Sequence, residues 1–318
     1  MGKFGISKNG TNFKIGKSMP NSILLFYGRE NMKIKNILNK AIEILKENSI
    51  EQPVLKTRMI LSNILNKSKE YIMIHDEEEI NIEKQKEFFV LIERLKNNEP
   101  IQYILNKQEF MGINLFINEN VLIPQPDTEI LVEEVIDIAI KNIEKKEIKI
   151  LDLCTGSGAI GIALAKNLDK ASIYASDISK LALEVAEKNA RNSKVKMKFI
   201  ESDLFEKFSI TNKFDIIVSN PPYIETETIK NLSEEVKHEP KIALDGGQDG
   251  LDFYRKIIIL AKRYLNENGY LALEIGYDQK EVVENMLKEN NYKNVYSKKD
   301  LSQNDRIVIA QTKTEHII

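Results

Sequence analysis

The chain contains few of the residues that build disulfides and metal sites. Its 318 residues include one cysteine, Cys154, and three histidines. A single cysteine excludes a disulfide within the chain, and so low a cysteine content fits a reducing compartment such as the cytoplasm. The histidines stand far apart in the sequence and have no zinc-ligand spacing with Cys154. The sequence therefore predicts neither an internal disulfide nor a metal site.

Long hydrophobic runs and a strong net charge are also missing. No apolar run reaches about 18 residues, the shortest length that crosses a membrane as a helix. Hydrophobic residues make up 42% of the chain, as in ordinary globular domains. The formal net charge is -2, which gives no overall attraction for nucleic acid. We therefore expect no membrane segment and no direct binding of nucleic acid.

The first part of the chain divides into three segments. Residues 1–31 are rich in Gly, Ser, Asn and Lys, and because Met32 opens a helical pattern we interpret them as a flexible or misassigned leader. Residues 32–100 carry apolar positions at helical spacing, which predicts a small helical bundle. Residues 101–127 show apolar alternation with a turn signal at Gly112, which predicts a β-hairpin and a linker.

Residues 128–318 show the pattern of an α/β domain. Asp127 or Thr128 is predicted to cap its first helix. A β-branched strand over residues 148–153 is then followed by a glycine-containing loop and a helix over residues 159–167. Glycine lets such a loop turn tightly and lets a ligand approach its backbone. The predicted cofactor-binding residues of this loop are Cys154, Thr155, Gly156, Ser157 and Gly158.

An acidic residue follows each of three predicted strands. Asp177 is placed to accept hydrogen bonds from both ribose hydroxyls of a nucleoside. Asp203 suits the adenine amine, and Leu204 suits the adenine ring. Asp152 is placed to meet a positively charged amino group. The loop also matches the dinucleotide pattern G-x-G-x-x-G, but a pyrophosphate requires free helix N–H groups rather than carboxylates. The acids therefore favour S-adenosylmethionine as the cofactor.

The stretch Asn220-Pro221-Pro222-Tyr223 directly follows a buried strand, where ligands of open α/β sheets bind. The two prolines have no backbone N–H, so the turn offers carbonyl acceptors, and the Asn220 amide adds another. Tyr223 supplies a flat face for stacking. These four predicted catalytic residues, of which Asn220 is also a predicted cofactor-binding residue, suit a methyltransferase that acts on an sp² nitrogen, although Asn-Pro and Pro-Pro also occur in ordinary turns.

Together these motifs resemble the HemK/PrmC family of peptide chain release factor glutamine methyltransferases. The similarity covers about residues 32–312 and extends to further motifs, which are Pro100 to Tyr103, His238-Glu239-Pro240 and Ala243 to Leu251. The resemblance implies a seven-stranded, Rossmann-like methyltransferase sheet whose last strand is antiparallel. It implies methyl transfer from S-adenosylmethionine to the side-chain amide of the glutamine in the Gly-Gly-Gln loop of release factors. It also implies that the helical segment recognises the protein substrate.

Two positions depart from the family pattern. Gln125 stands where the family usually has arginine, which puts an ion pair from that position in doubt, and Cys154 stands where glycine is common. We expect Cys154 to be tolerated because a negative φ would suit its side chain. The chain also contains Gly246-Gly247-Gln248, the tripeptide expected in the substrate. This match is either a coincidence at a variable position or a weak pseudo-substrate.

Three other functions remain open at the level of sequence. A DNA adenine-amine methyltransferase shares the Asn-Pro-Pro-Tyr type of motif, but no basic aromatic patch or inserted recognition segment is evident. A glutamine methyltransferase of a ribosomal protein would use the same chemistry on another partner. A non-catalytic nucleotide-binding module would not need Asn220 and Tyr223 together with three strand-end acids.

Overall fold

The computed structural model describes residues 30–313, and the chain divides into two units between Asn97 and Asn98. The predicted leader, residues 1–31, lies outside the described residues except for its last two positions. No helix within the described part is long and apolar enough to cross a membrane.

The first unit is a helical bundle, as its apolar periodicity predicts. Its helices are α1 (Ile34–Glu47), α2 (Pro53–Leu65), α3 (Lys69–Ile74) and α4 (Ile82–Lys96), and β1 (Met32–Lys33) pairs with β2 (Glu79–Ile80). The apolar stripe of α1 is buried as one face, which is what stabilises a short helix. The Ser68 and Asn81 side chains accept from backbone N–H groups and so fix the starts of α3 and α4.

The second unit begins with a short helix, α5 (Ile101–Leu105), and a hairpin of β3 (Gln108–Phe110) and β4 (Ile113–Leu115). The hairpin is confirmed, but the predicted alternation over residues 101–123 is wrong outside it. Ile117, Val121 and Ile123 are buried without forming a strand. They are held by long-range contacts, because the Tyr103 hydroxyl donates to the Val121 carbonyl at 2.6 Å.

The predicted seven-stranded sheet is confirmed in the second unit. Its strands are β5 (Ile148–Leu153), β6 (Ala171–Asp177), β7 (Met197–Glu201), β8 (Phe214–Ser219), β9 (Leu265–Glu274), β10 (Lys293–Lys299) and β11 (Asp305–Gln311). They lie in the order β10-β11-β9-β8-β5-β6-β7. The neighbours from β9 to β7 are parallel, and β11 is antiparallel to both of its neighbours. The carboxyl ends of β5, β6, β7 and β8 therefore meet at one edge.

Helices cover both faces of this sheet, as a parallel sheet requires. One apolar core joins the sheet to α6 (Glu129–Asn142) and α7 (Ala159–Asn167), and a second joins it to α10 (Asp252–Ala261) and α11 (Lys280–Glu289). The adjacent residues Ile150 and Leu151 enter opposite cores because successive strand side chains alternate. The remaining α-helices of the unit are α8 (Lys180–Ser193) and the short α9 (Lys241–Leu244), and 3-10 helices span Pro126–Thr128, Thr228–Asn231 and Val236–His238.

Candidate active site

A cavity opens at the carboxyl ends of the parallel strands, where the sequence places the functional residues. Its wall contains seven of the predicted residues, which are Cys154, Gly156, Asp177, Asp203, Leu204, Asn220 and Pro222. Six others do not contribute to the wall, namely Asp152, Thr155, Ser157, Gly158, Pro221 and Tyr223. The structure thus brings together residues from four separate strand ends.

Asp152 lies beneath the glycine loop rather than on the cavity wall. Its side chain is fully buried, and its Oδ2 accepts from the Thr155 hydroxyl and from the Gly161 backbone N–H at 2.9 Å. Its Oδ1 has no hydrogen-bond partner among the residues that the structure describes. Burial raises the pKa of Asp152 to about 7, against the opposing effect of the Thr155 and Gly161 hydrogen bonds. Asp152 therefore shapes the loop, and one of its oxygens remains unsatisfied.

Cys154 corrects one expectation about this loop. Its φ is +61°, in the left-handed region, so the expected negative φ is wrong. A side chain in this region costs of order 1–3 kcal/mol. The loop requires the conformation because β5 must turn sharply after Leu153, which explains why glycine suits this position. The thiol lies on the cavity wall, and burial raises its pKa, which keeps it protonated at neutral pH.

Asp177 is hydrogen-bonded to the glycine loop and to the start of α8. Asp177 Oδ2 accepts from the Gly156 N–H, and its Oδ1 accepts from the Ser179 N–H, each at 2.9 Å. The Ile178 backbone N–H also interacts with this carboxylate, which still has acceptor capacity left because two oxygens together offer about four lone pairs. A Cβ placed on Gly156, whose φ is +53°, would meet no atom within 4 Å, because the space beside it is open. Burial raises the pKa of Asp177, opposed by its backbone hydrogen bonds.

The loop that contains Gly246 packs against the backbone of the Asn-Pro-Pro-Tyr turn. The Gly246 N–H donates to the Ile224 carbonyl at 2.8 Å. A Cβ on Gly246 would lie 2.7 Å from Tyr223 Cα and 2.9 Å from the Pro222 carbonyl oxygen, so only glycine fits. Gln279 also contacts this turn, because its Nε2 donates a hydrogen bond to the Tyr223 carbonyl at 3.0 Å.

Thr128 orients the Asn220 side chain. Asn220 Nδ2 donates to Thr128 Oγ1 at 3.3 Å, which turns Oδ1 to the opposite side as an acceptor. The prediction that Asp127 or Thr128 caps α6 is wrong, because neither side chain makes a capping hydrogen bond. Thr128 is buried and faces the turn instead. Glu274, at the end of β9, lies beside Thr128. It accepts a hydrogen bond from the Tyr223 hydroxyl at 3.5 Å.

Several residues of the cavity wall were not predicted from the sequence. Ile178 and Ser179 follow Asp177 directly, so their position in the chain was an available signal. Leu153 and Ser202 directly precede predicted residues, and Pro240 and Ala243 belong to motifs of the resemblance to which no role was assigned. The other missed residues come from segments whose packing no local pattern specifies, namely Asn120, Val121, Leu122, Ala182, Ile242, Phe253 and Lys256.

Comparisons with known proteins give two family matches and several relatives. The PrmC N-terminal domain matches residues 36–105, and the Methyltransferase small domain matches residues 128–248. A release factor glutamine methyltransferase of Clostridium acetobutylicum is 42% identical over 283 residues, which are 88% of this chain and 98% of the relative. A release factor glutamine methyltransferase of Fusobacterium nucleatum is 43% identical over 281 residues, which are 87% of this chain and 78% of the relative.

Among solved structures, the fold is similar to the hMettl16 catalytic domain in complex with MAT2A 3'UTR hairpin 1. The TM-score is 0.52 at 16% identity, and the match covers 69% of this chain and 80% of that chain. At this identity the similarity shows a shared methyltransferase fold and nothing about the substrate.

Proposed function

This chain belongs to the family of release factor glutamine methyltransferases, and on that basis we propose that it methylates the glutamine of the Gly-Gly-Gln loop in peptide chain release factors. The acceptor atom is the side-chain amide nitrogen, and the modification modulates translation termination. The observation that supports this reaction most directly is the turn at Asn220. Its residues Asn220 and Pro222 line the cavity, the Asn220 Nδ2 group is held by Thr128 Oγ1, and its two prolines have no backbone N–H group.

The residues of the cavity fit S-adenosylmethionine, which supplies an electrophilic methyl group on a sulfonium when bound. The open space beside Gly156 admits a ligand to the backbone, and Asp177 has free lone pairs for ribose hydroxyls. Asp203 and Leu204 would hold the adenine amine and ring. Asp152 would act on the amino group only through the loop, since its side chain is fully buried beneath it.

Asn220 and its turn would position the substrate amide. An amide nitrogen is a poor nucleophile because its lone pair is delocalised, so its orientation towards the methyl group is decisive. Asn220 Oδ1 and the Pro221 carbonyl would accept its two N–H bonds and favour tetrahedral character at nitrogen as charge develops. Tyr223 would cover the planar amide. The proton leaves after positive charge has formed on nitrogen, so no strong base is required beforehand.

The helical segment, residues 32–100, is proposed to recognise the release factor. Most of it matches the PrmC N-terminal domain, which accompanies the methyltransferase domain in this chain. Because the proposed substrates are translation factors, we place the protein in the cytoplasm.

The test is a methyl-transfer assay with labelled S-adenosylmethionine. The expected acceptors are release factors, and replacing the loop glutamine by alanine should remove the label. Ribosomal proteins and DNA serve as competing substrates in parallel reactions. Label on a ribosomal protein or on DNA adenine, with none on release factors, would show that the substrate is not a release factor.

A further inference from the structure

A buried carboxyl group lies beneath the candidate catalytic turn and has no part in the reaction proposed above. Glu274, the last residue of β9, is 2% exposed. Its Oε1 accepts a hydrogen bond from the Tyr223 hydroxyl at 3.5 Å, and its Oε2 has no hydrogen-bond partner within residues 30–313. Burying a carboxyl group with incomplete hydrogen bonding is costly. An apolar side chain would fill the same space at lower cost, so packing alone does not account for Glu274.

Thr128 lies between Glu274 and Asn220. Its Oγ1 accepts a hydrogen bond from Asn220 Nδ2 at 3.3 Å. Its hydroxyl also lies close enough to the Glu274 carboxyl group to lower the pKa of that group, although no hydrogen bond of ordinary geometry joins the two side chains within residues 30–313. A hydroxyl can either donate or accept, so Thr128 alone would not decide which end of the Asn220 amide faces it. An ionised carboxylate can only accept. An ionised Glu274 would therefore accept the hydrogen bond of the Thr128 hydroxyl when the two side chains reach hydrogen-bonding geometry, which leaves Thr128 Oγ1 as the acceptor for Nδ2.

The orientation of the Asn220 amide decides whether the turn can hold a substrate –NH2 group. With Nδ2 on Thr128, Asn220 Oδ1 is the acceptor available at the cavity. The flipped amide would place N–H donors against the N–H donors of the substrate. We propose that Thr128 and Glu274 are positioning residues that fix Asn220 with its oxygen towards the substrate amide. This assignment rests on the proposed function only for the identity of that substrate.

The charge of Glu274 makes the arrangement sensitive to pH. Burial raises the pKa of Glu274 to about 7, and Thr128, Arg306 and Tyr223 oppose this effect while Asp127 adds to it. These are the groups that face the carboxyl group, together with Tyr254, whose hydroxyl donates to the Glu274 carbonyl at 3.0 Å. A protonated Glu274 can donate a hydrogen bond to Thr128, whose own hydroxyl is then free to donate. Thr128 then no longer favours the Nδ2 end of the Asn220 amide over the Oδ1 end. Positioning therefore improves as pH rises through about 7.

The first test compares Thr128→Val with Thr128→Ser. Valine keeps the shape and removes the hydroxyl, so kcat/KM for release factor is expected to fall about tenfold or more, the effect of one lost hydrogen bond to a reacting group. Serine restores the hydroxyl and is expected to recover most of that loss. The matched control is Thr312→Val, because Thr312 is also buried in the second unit and its hydroxyl donates to the Asn266 carbonyl at 3.0 Å. The control should keep wild-type kinetics, and equal turnover of the valine and serine variants at position 128 would overturn the proposal.

The second test uses Glu274→Gln, whose amide can donate to Thr128 as the protonated acid does. Its kcat/KM is expected to be low and nearly flat across neutral pH, whereas the wild-type value rises. Wild-type turnover with a wild-type pH profile in this variant would contradict the assignment. Burial also raises the pKa values of Asp152 and Glu239 to about 7. The comparison with Glu274→Gln is therefore needed to assign the pH dependence of the wild-type kcat/KM to Glu274.

A third measurement does not depend on methyl transfer. The side-chain ¹⁵N–¹H signals of Asn220 can be identified by their loss in Asn220→Ala and followed during a pH titration of the substrate-free protein. We expect them to shift with a midpoint near 7 in the wild type and not in Glu274→Gln. Unchanged signals in Thr128→Val would overturn the positioning role. Failure of the wild type to label release factor, with these signals behaving as expected, would instead overturn the proposed function.

Discussion

Asn220 and Asp177 lie on one cavity wall but have separable tasks. Asn220→Ala should remove an acceptor for the substrate amide, a loss of about 1–3 kcal/mol in a desolvated site, and so abolish most turnover. Its dissociation constant for S-adenosylmethionine should stay within about tenfold of the wild-type value. Asp177→Ala should do the reverse, because it removes the carboxylate that accepts from the Gly156 N–H and that we propose to bind the ribose hydroxyls. Calorimetric titration of both variants checks this, and unchanged cofactor affinity in Asp177→Ala would remove Asp177 from the site.

Cys154 offers a test of backbone strain within the glycine loop. Its φ of +61° is unfavourable for any residue with a Cβ, so Cys154→Gly should relieve a cost of order 1–2 kcal/mol. The greater freedom of glycine in the unfolded chain offsets roughly 0.5–1 kcal/mol of this gain. We therefore expect a free energy of unfolding higher by up to about 1.5 kcal/mol in urea titrations. Cys154→Ala keeps the Cβ and should show no gain, so equal stabilisation of both variants would rule out strain as the cause.

The Gly246 loop is the structural support of the catalytic turn. In Gly246→Ala the new Cβ would lie 2.7 Å from Tyr223 Cα and 2.9 Å from the carbonyl oxygens of Pro222 and Gly250, and all three atoms belong to the backbone, so the turn must move. Because a displacement of about 1 Å at a reacting group can cost roughly a hundredfold in rate, we expect a large fall in methyl transfer with cofactor affinity nearly unchanged. Kinetic and calorimetric measurements on one preparation check both.

Gln248→Ala in the same loop is the matched control. Gln248 is exposed and does not contribute to the cavity wall, so its replacement should leave the kinetics unchanged. A higher rate in this variant would support the pseudo-substrate interpretation of Gly246-Gly247-Gln248. A normal rate in Gly246→Ala would show that the turn tolerates the displacement.

Elements with a local cause were predictable, and those fixed by distant contacts were not. The unit of β5, glycine loop and α7 follows from β-branched residues, glycines and an apolar helix, and the structure places it where the sequence predicts it. Helix α5 and the buried segment after β4 were missed because they depend on contacts such as Tyr103 with Val121. The same holds in the site. The motif predicts Asn220, but the side chain that orients it, Thr128, lies 92 residues away in sequence.

The two units of the chain should separate cofactor binding from recognition of the protein substrate. A truncated protein that begins at Asn98 keeps every residue of the cavity wall. We expect it to bind S-adenosylmethionine with near wild-type affinity and to lose methylation of release factor. Because loss of the bundle could also lower stability, thermal unfolding with and without cofactor is measured on the same sample. A folded truncated protein with undiminished methyl transfer would refute recognition by residues 32–100.

The pH dependence of whole-molecule stability should carry the signature of buried acids. Glu239 is buried and accepts from the Ile123 N–H at 2.9 Å, and burial raises its pKa to about 7 against this opposing hydrogen bond. Between pH values of about 4.5, the ordinary pKa of a glutamate, and about 7, the folded state thus holds a proton that the unfolded state has already lost. Stability from this group is therefore complete below about 4.5 and is lost as pH rises through about 7.

Glu239→Gln removes this titration while its side-chain oxygen can still accept from Ile123. Relative to the wild type, the variant should gain free energy of unfolding as pH rises from mildly acidic to mildly alkaline, by roughly 1–3 kcal/mol. Urea unfolding of both proteins at several pH values measures the difference. A difference that stays constant with pH would show that Glu239 titrates normally, and one that shrinks as pH rises would mean that its carboxylate is stabilised by the fold.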